Sequence, residues 1–243
     1  MITSINLSPI AITRSCFGEK FGVPRQPLLA DASRASLVLL PPFNDPQLLQ
    51  GLEGASHLWV IFQFHQCAGQ WQARVRPPRL GGNQRIGALA TRSPFRPNNL
   101  GLSVVRLLEL RTGPEVEIVI GGADLVDGTP VLDIKPYVPY ADALPDASLD
   151  FVPQAPAEYE VRVPENVQRI AEAHRDEWNT NLVLLIRQVL AQDPRPAYQQ
   201  SAPGRVYGMK LCGYNLTWHY PEPGEGGERV IEVLELQRQD NEE

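Results

Sequence analysis

Between Glu53 and Glu109 the chain has no aspartate or glutamate, yet this window holds seven arginines. Six of them, Arg74, Arg76, Arg79, Arg85, Arg92 and Arg96, fall within residues 74–101. The whole chain carries a formal charge of −6, so the residues outside the window sum to −13. The arginines alternate with turn formers: Pro77-Pro78, Gly81-Gly82-Asn83, Pro94 and Pro97-Asn98-Asn99. Gly, Pro and Asn preset tight loops. The segment therefore predicts arginines displayed on shaped loops around one short strand, Ile86 to Thr91. Guanidinium groups match phosphate and carboxylate through two parallel donors and stack on bases. Two readings stay open from this pattern: a site for an anionic partner, RNA or phosphate first, or surface arginines paired with acids from elsewhere in the fold.

The 23 prolines and 19 glycines among 243 residues favour short strands over long helices. An acidic balance with pI near 5.3 argues against indiscriminate coating of nucleic acid and leaves room for a local RNA site. Arginine outnumbers lysine 19 to 3. That bias favours directed pairing or stacking, and a GC-rich genome also produces it. Cys16, Cys67 and Cys212 lie far apart without CxxC or Cys/His spacing, so no metal or disulfide framework is expected. Isolated thiols, no signal-like start and no apolar run long enough to span a bilayer point to a cytoplasmic protein.

Up to about residue 160 the pattern predicts some seven short strands. Residues 2–14, Ala35 to Leu40, Leu58 to Phe64, Leu102 to Arg111 and Val116 to Ile120 read as strands. Asp45 to Leu52 reads as a short helix with Asp45 as cap and Pro46 at its first position. Asp127-Gly128 is a turn signal, and 141–164 reads as a proline-rich linker. Short strands with regular turns imply an antiparallel β-barrel or sandwich. From 161 to 237 the chain reads as a small α+β domain. One helix starts at Pro164 and another runs from Asn181 to Ala191, halted by Asp193-Pro194. Val206 to His219 and Arg229 to Leu236 suggest a hairpin, and residues 238–243 a frayed tail.

No Walker-type loop, GxGxxG, GxSxG or HExxH motif occurs, which argues against a nucleotide on a Rossmann sheet. Asp124, Asp127 and Asp133 crowd one stretch. They suit either ribose or amine contacts or plain turn chemistry. His57 and His65 flank the strand at 58–64.

Several segments resemble one family closely: EKFGVPRQP (19–27), GLEGASHLWVIFQFHQ (51–66), VRPPRLGGNQRIGALATRSPFRPN (75–98), DLVDGTP (124–130), LDIKPY (132–137) and AQDPRPAY (191–198). They are similar to the TsaA-like, or TrmO-like, tRNA methyltransferases across nearly the whole chain. The resemblance implies a mainly β protein whose N-terminal barrel, not a Rossmann sheet, binds S-adenosylmethionine. It implies methylation of N6 of N6-threonylcarbamoyladenosine at position 37 of threonine tRNA by a homodimer. The cofactor motifs carry over onto Pro24, Arg25, Gln26, His65, Gln66, Arg92, Leu102, Asp127, Gly128, Thr129 and Pro130. In that frame Arg25 or Arg92 would pair with the cofactor carboxylate, and backbone groups of the Asp127-Gly128 turn would read its adenine. Asp127, Lys135 and Tyr137 are the candidates to line the reacting nitrogen. Arg76, Arg79, Arg85, Arg96, Asn98 and Arg195 are the candidate tRNA contacts. A non-catalytic RNA-binding module using the same arginines is the alternative.

Overall fold

The computed structural model describes residues 4–77, 84–150, 158–195, 204–222 and 229–239. Arg79 lies outside the described residues, as do Pro78, Gly81 to Asn83, most of the expected tail and the end of the 191–198 segment. Six strands close into an antiparallel barrel in the order β1 (Ala11–Ser15), β2 (Arg34–Leu39), β7 (Val116–Gly121), β6 (Leu100–Thr112), β3 (His57–Gln63), β8 (Pro130–Pro136), with β8 returning to β1. Two further short strands, β4 (Arg74–Val75) and β5 (Ile86–Gly87), pair with each other in the β3–β6 connection.

Alternation explains the barrel. Along β3, Leu58, Val60 and Phe62 point inward and are buried, while Trp59 and Ile61 face out. The β-branched and aromatic residues of Leu58 to Phe64 mark a buried strand, and the structure buries one face of it. Leu37, Val105, Ile118, Ile120 and Val131 fill the same interior. Each large aliphatic side chain so buried contributes roughly 1.5–3 kcal/mol. Gly101 is required where β6 passes Phe62, because a Cβ there would stand 2.2 Å from the ring. Small barrels are filled by their own side chains, so a ligand must sit at a rim or outside.

The second core belongs to a four-stranded sheet, β10 (Val206–Leu211), β11 (Tyr214–His219), β12 (Val230–Arg238) and β9 (Glu160–Arg162), β9 being parallel to β12. The helices α2 (Glu165–Glu172) and α3 (Leu182–Ala191) accompany it, α1 (Pro139–Asp142) being a single turn after the barrel. Leu182, Leu185, Ile186 and Val189 form the apolar face of α3, and the Asn181 side chain caps it by accepting from the Leu184 N–H. The β1–β2 connection also enters this core: Cys16, Phe17, Ala30 and Ala32 are buried with Trp218 and Met209.

Several local expectations change. The first strand begins at Ala11. The strand expected at 86–91 ends at Gly87 and becomes a 3-10 turn, Ala88–Ala90. The turn after Asp45 is also 3-10, Pro46–Leu49, with the Asp45 cap as expected. The linker at 141–164 contains β9, a strand too short to show a period. The expected single hairpin at 206–236 is a three-stranded meander, because Cys212-Gly213, with φ of 49° and 76°, turns the chain between β10 and β11. Among the described residues, no helix is long and apolar enough to cross a membrane.

Candidate active site at one barrel rim

Strand direction sorts the sequence motifs. β1, β3 and β7 run toward one rim, and β2, β6 and β8 run away from it. That rim therefore carries the connections 16–33, 64–99 and 122–129. The resemblance placed the cofactor residues in those same three connections, with Leu102 and Pro130 on the strands that leave them. Three stretches far apart in sequence meet because antiparallel closure leaves them no other place.

Each connection is fastened by its own polar groups. In 64–99 the buried Asn99 carboxamide donates to the carbonyls of Gln70 (3.0 Å) and Pro94 (2.8 Å) and accepts from the Gly69 N–H (3.1 Å). In 122–129 the Asp127 carboxylate accepts from the Ser15 N–H at 2.9 Å, while the Ser15 hydroxyl donates to the Leu125 carbonyl at 2.7 Å. The N–H groups of Asp127 and Gly128 donate to Phe17 and Thr13 carbonyls, both at 2.9 Å. These two donors are thus occupied within the fold, which leaves the carbonyl groups of the turn for the expected adenine contact. Thr129 is buried, its hydroxyl donating to the Val126 carbonyl.

Two groups of side chains converge on this rim. Arg92 donates to the Gln26 carboxamide oxygen, and its charge acts on Asp124. One Asp124 carboxylate oxygen is fully buried without a hydrogen-bond partner. Burial pushes its carboxyl up to about 6 against the opposing effects of the Ser103 hydroxyl and Arg92. The second group is Lys20, His65, Gln66 and Asp127. Lys20 donates to the Gln66 carbonyl at 3.1 Å and lies 3.3 Å from the Cys67 thiol. Burial and the Lys20 charge hold His65 below the ordinary imidazole value, with Asp127 opposing. His65 sits in a 3-10 turn, His65–Cys67, just past β3, so it does not share the strand face with His57 as expected.

Other candidates lie elsewhere. Lys135 and Tyr137 stand at the opposite rim, beside Trp59 and His57. β8 has seven residues, about 20 Å of chain, and it separates them from Asp127. Arg195 is only 6% exposed. Its guanidinium pairs with Asp193 at 2.8 Å, donates to the Tyr159 hydroxyl and lies 3.4 Å over the Tyr220 ring, so it stabilises the second core and is not free for RNA. Arg25 donates to the Asp193 carbonyl at 3.1 Å, which leaves Arg92 as the rim arginine facing Asp124. Pro24 is buried, whereas Leu102 faces outward at 53% exposure. Arg76, Arg85 and Asn98 are exposed, and Arg96 is half-buried with a donor on the Thr91 carbonyl. Among the described residues, Arg74, Arg76, Arg85, Arg92 and Arg96 make no salt bridge; within the acid-free window only Arg106 does, with Asp31. Sequence reasoning left Asp124, Ser103 and Lys20 outside the site. Asp124 was visible among its neighbours, but nothing in the spacing distinguished the buried carboxylate from Asp133, whose exposed side chain in mid-β8 accepts from the Ile134 N–H.

Comparisons with known proteins extend over both halves of the chain. Residues 12–143 match the tRNA-methyltransferase O N-terminal domain and residues 156–239 the TrmO C-terminal domain. The chain is 45% identical over 227 residues to the tRNA (adenine(37)-N6)-methyltransferase of Escherichia coli, covering 92% of this chain and 96% of that one. It is 47% identical over 180 residues to the protein of the same description from Eikenella corrodens, covering 74% and 96%. The crystal structure of TrmO from Pseudomonas aeruginosa superposes with a TM-score of 0.81 at 43% identity, covering 98% and 99% of the two chains. With both domain models matched in order and the barrel superposed on a solved one, the chain belongs to the TrmO family of tRNA methyltransferases.

Proposed function

We propose that this chain is an S-adenosylmethionine-dependent methyltransferase acting on N6 of N6-threonylcarbamoyladenosine at position 37 of threonine tRNA. The observation that carries the reading is the convergence of Arg92, Gln26, Asp124, His65 and Asp127 at one rim of the barrel. The donor set fits the cofactor. A partnerless buried carboxylate oxygen on Asp124 suits a cationic group, and the exposed Arg92 guanidinium suits a carboxylate. When bound, S-adenosylmethionine supplies an electrophilic methyl on a sulfonium.

The acceptor nitrogen belongs to a urea, so it is a weak nucleophile with an acidified proton. The chain must hold that nitrogen in line and accept the proton. The rim offers two acceptors, the Asp127 carboxylate and the imidazole of His65, which is neutral at pH 7 because its pKa is held low. The arginines of 74–96, none of whose described members makes a salt bridge, suit the phosphates around the anticodon loop and the threonyl carboxylate. A site that grips that carboxylate rejects adenosine lacking it, so threonylcarbamoylation precedes methylation. On this reading the barrel carries the chemistry, the protein works as a cytoplasmic homodimer, and arginines of two protomers build one RNA surface.

The test is methyl transfer to two threonine tRNAs, one an unmodified transcript and one carrying the threonylcarbamoyl group, read by mass spectrometry at position 37. Transfer to the modified tRNA only is expected, with Arg92→Ala reducing cofactor affinity at least tenfold, about 1.4 kcal/mol. Equal rates on both tRNAs sink the substrate assignment. Absence of transfer to either, with tRNA still bound, favours the RNA-binding module.

A further inference from the structure

We propose that His174, Asp176, Cys212 and Cys16 form a tetrahedral site for a zinc-type divalent metal ion that clamps the C-terminal sheet to the barrel rim. The His174 imidazole, the Asp176 carboxylate and the Cys212 thiol place their donor atoms within 4.8 Å of one another. His174 Nε2 and Asp176 Oδ2 are 3.2 Å apart. The edges of a tetrahedral zinc site with such ligands measure roughly 3.3–3.8 Å, so this edge already has nearly its metal-bound length. The fourth donor is the Cys16 thiol, which lies outside that triad beside Cys212 and would turn in to complete the tetrahedron. The Cys16 side chain reaches the Cys212 thiol, and the Cys212 N–H donates to the Cys16 carbonyl at 3.0 Å.

The surroundings resemble a prepared ligand shell. Asp176 Oδ1 accepts from the N–H groups of Trp178 (3.1 Å) and Thr180 (2.9 Å), which fixes the carboxylate and turns Oδ2 toward His174. The His174 ring lies edge-on against Tyr214, 5.6 Å between centroids, and its side chain is 8% exposed. Cys212 adopts φ of 49° as the first central residue of its turn. Asn, Asp or Gly would occupy that position with less strain. A strained backbone at a cluster of donors is a pointer to function. Two thiolates, an imidazole and a carboxylate form a borderline-soft set that suits zinc and is poor for magnesium or calcium.

The location gives the ion a role. The cluster borders a cavity of about 340 Å³ that Ser15 and Asp127 also line. Cys16 follows Ser15, whose N–H holds the Asp127 carboxylate. A metal bound to Cys16 would therefore stiffen the strand end that anchors the Asp127 turn, and its binding would release the thiol protons to solvent. Positions 16, 174, 176 and 212 are too scattered for any spacing motif to connect them.

The experiment is cobalt(II) titration of the full-length, chelator-treated protein without oxygen, after a thiol assay shows all three cysteines free. Thiolate-to-cobalt charge-transfer absorption saturating at one ion per chain is expected, with zinc bleaching it. Cys212→Asn keeps a residue that tolerates the turn, so it folds; with only the Cys16 thiolate left, its absorption per ion falls to about half or less, it binds at least tenfold more weakly, and zinc raises its Tm less than in the wild type. His174→Ala keeps the charge-transfer band but binds at least tenfold more weakly. A wild-type protein with free thiols that shows no such band, or a Cys212→Asn variant with an unchanged one, overturns the proposal.

Discussion

Asp124 is the residue whose ionisation most depends on folding. Its carboxyl ionises near the ordinary value of about 4 in an unfolded chain and is pushed up to about 6 in the fold by burial. Between those values the folded protein keeps a proton that the unfolded chain has lost. Asp124 therefore makes its full contribution to stability below about pH 4, and loses it as pH rises through about 6. Asp124→Asn should flatten that part of the stability–pH profile and raise stability at neutral pH by about 3 kcal/mol, read from urea unfolding at several pH values. The same carboxylate must be ionised to hold a cation. S-adenosylmethionine affinity should thus rise between about pH 5 and 7.5 in the wild type and be weaker and flatter in the Asn variant, as measured by calorimetry. A stability profile that keeps its slope in Asp124→Asn would assign the titration to another group.

At the scale of elements, antiparallel order decides what can meet. Because β8 carries Asp127 to one rim and Lys135 to the other, Lys135→Ala and Tyr137→Ala should leave cofactor affinity within about twofold of wild type. A tenfold loss in either would show that a second copy brings the far rim back to the site. Much of this level was legible in the chain. The β-branched and aromatic residues of the strand at 58–64, and the start and apolar face of α3, announce themselves through composition and period. What stayed hidden was set by pairing. β9 is three residues long and exists because β12 offers an edge, and the Cys212-Gly213 turn uses a residue type that signals no turn. The site divided in the same way. The motif residues Gln26, His65, Arg92 and Asp127 were readable, whereas the buried role of Arg195 depends on Tyr159, 36 positions away, and on Tyr220, and the isolation of Asp124 on solvent exclusion.

On the scale of the whole molecule, acid-free loops carry a cluster of arginines on an otherwise acidic protein. Association that lines up two such loops would give a longer cationic track than one chain provides, and the exposed Leu102, Leu108 and Trp71 would lose water on the same occasion. Light scattering should give twice the 27.0 kDa of one chain at micromolar protein, and a single-chain mass across ordinary salt would refute the dimer. The joining of the two cores has a further consequence, in time. The 16–33 connection is among the first parts of the chain to be synthesised, yet its resting places are supplied last. The Glu19 carboxylate accepts from the Lys210 N–H across 191 positions, and Phe21 stacks on Trp218 at 6.0 Å. Until those late strands leave the ribosome, the early connection has nothing to settle against. The barrel can close beforehand, but the rim holding Lys20 and Gln26 is completed only when almost the entire polypeptide has been made. If this rim holds the methyl donor as proposed above, a chain truncated before β10 should bind it more weakly than the full chain.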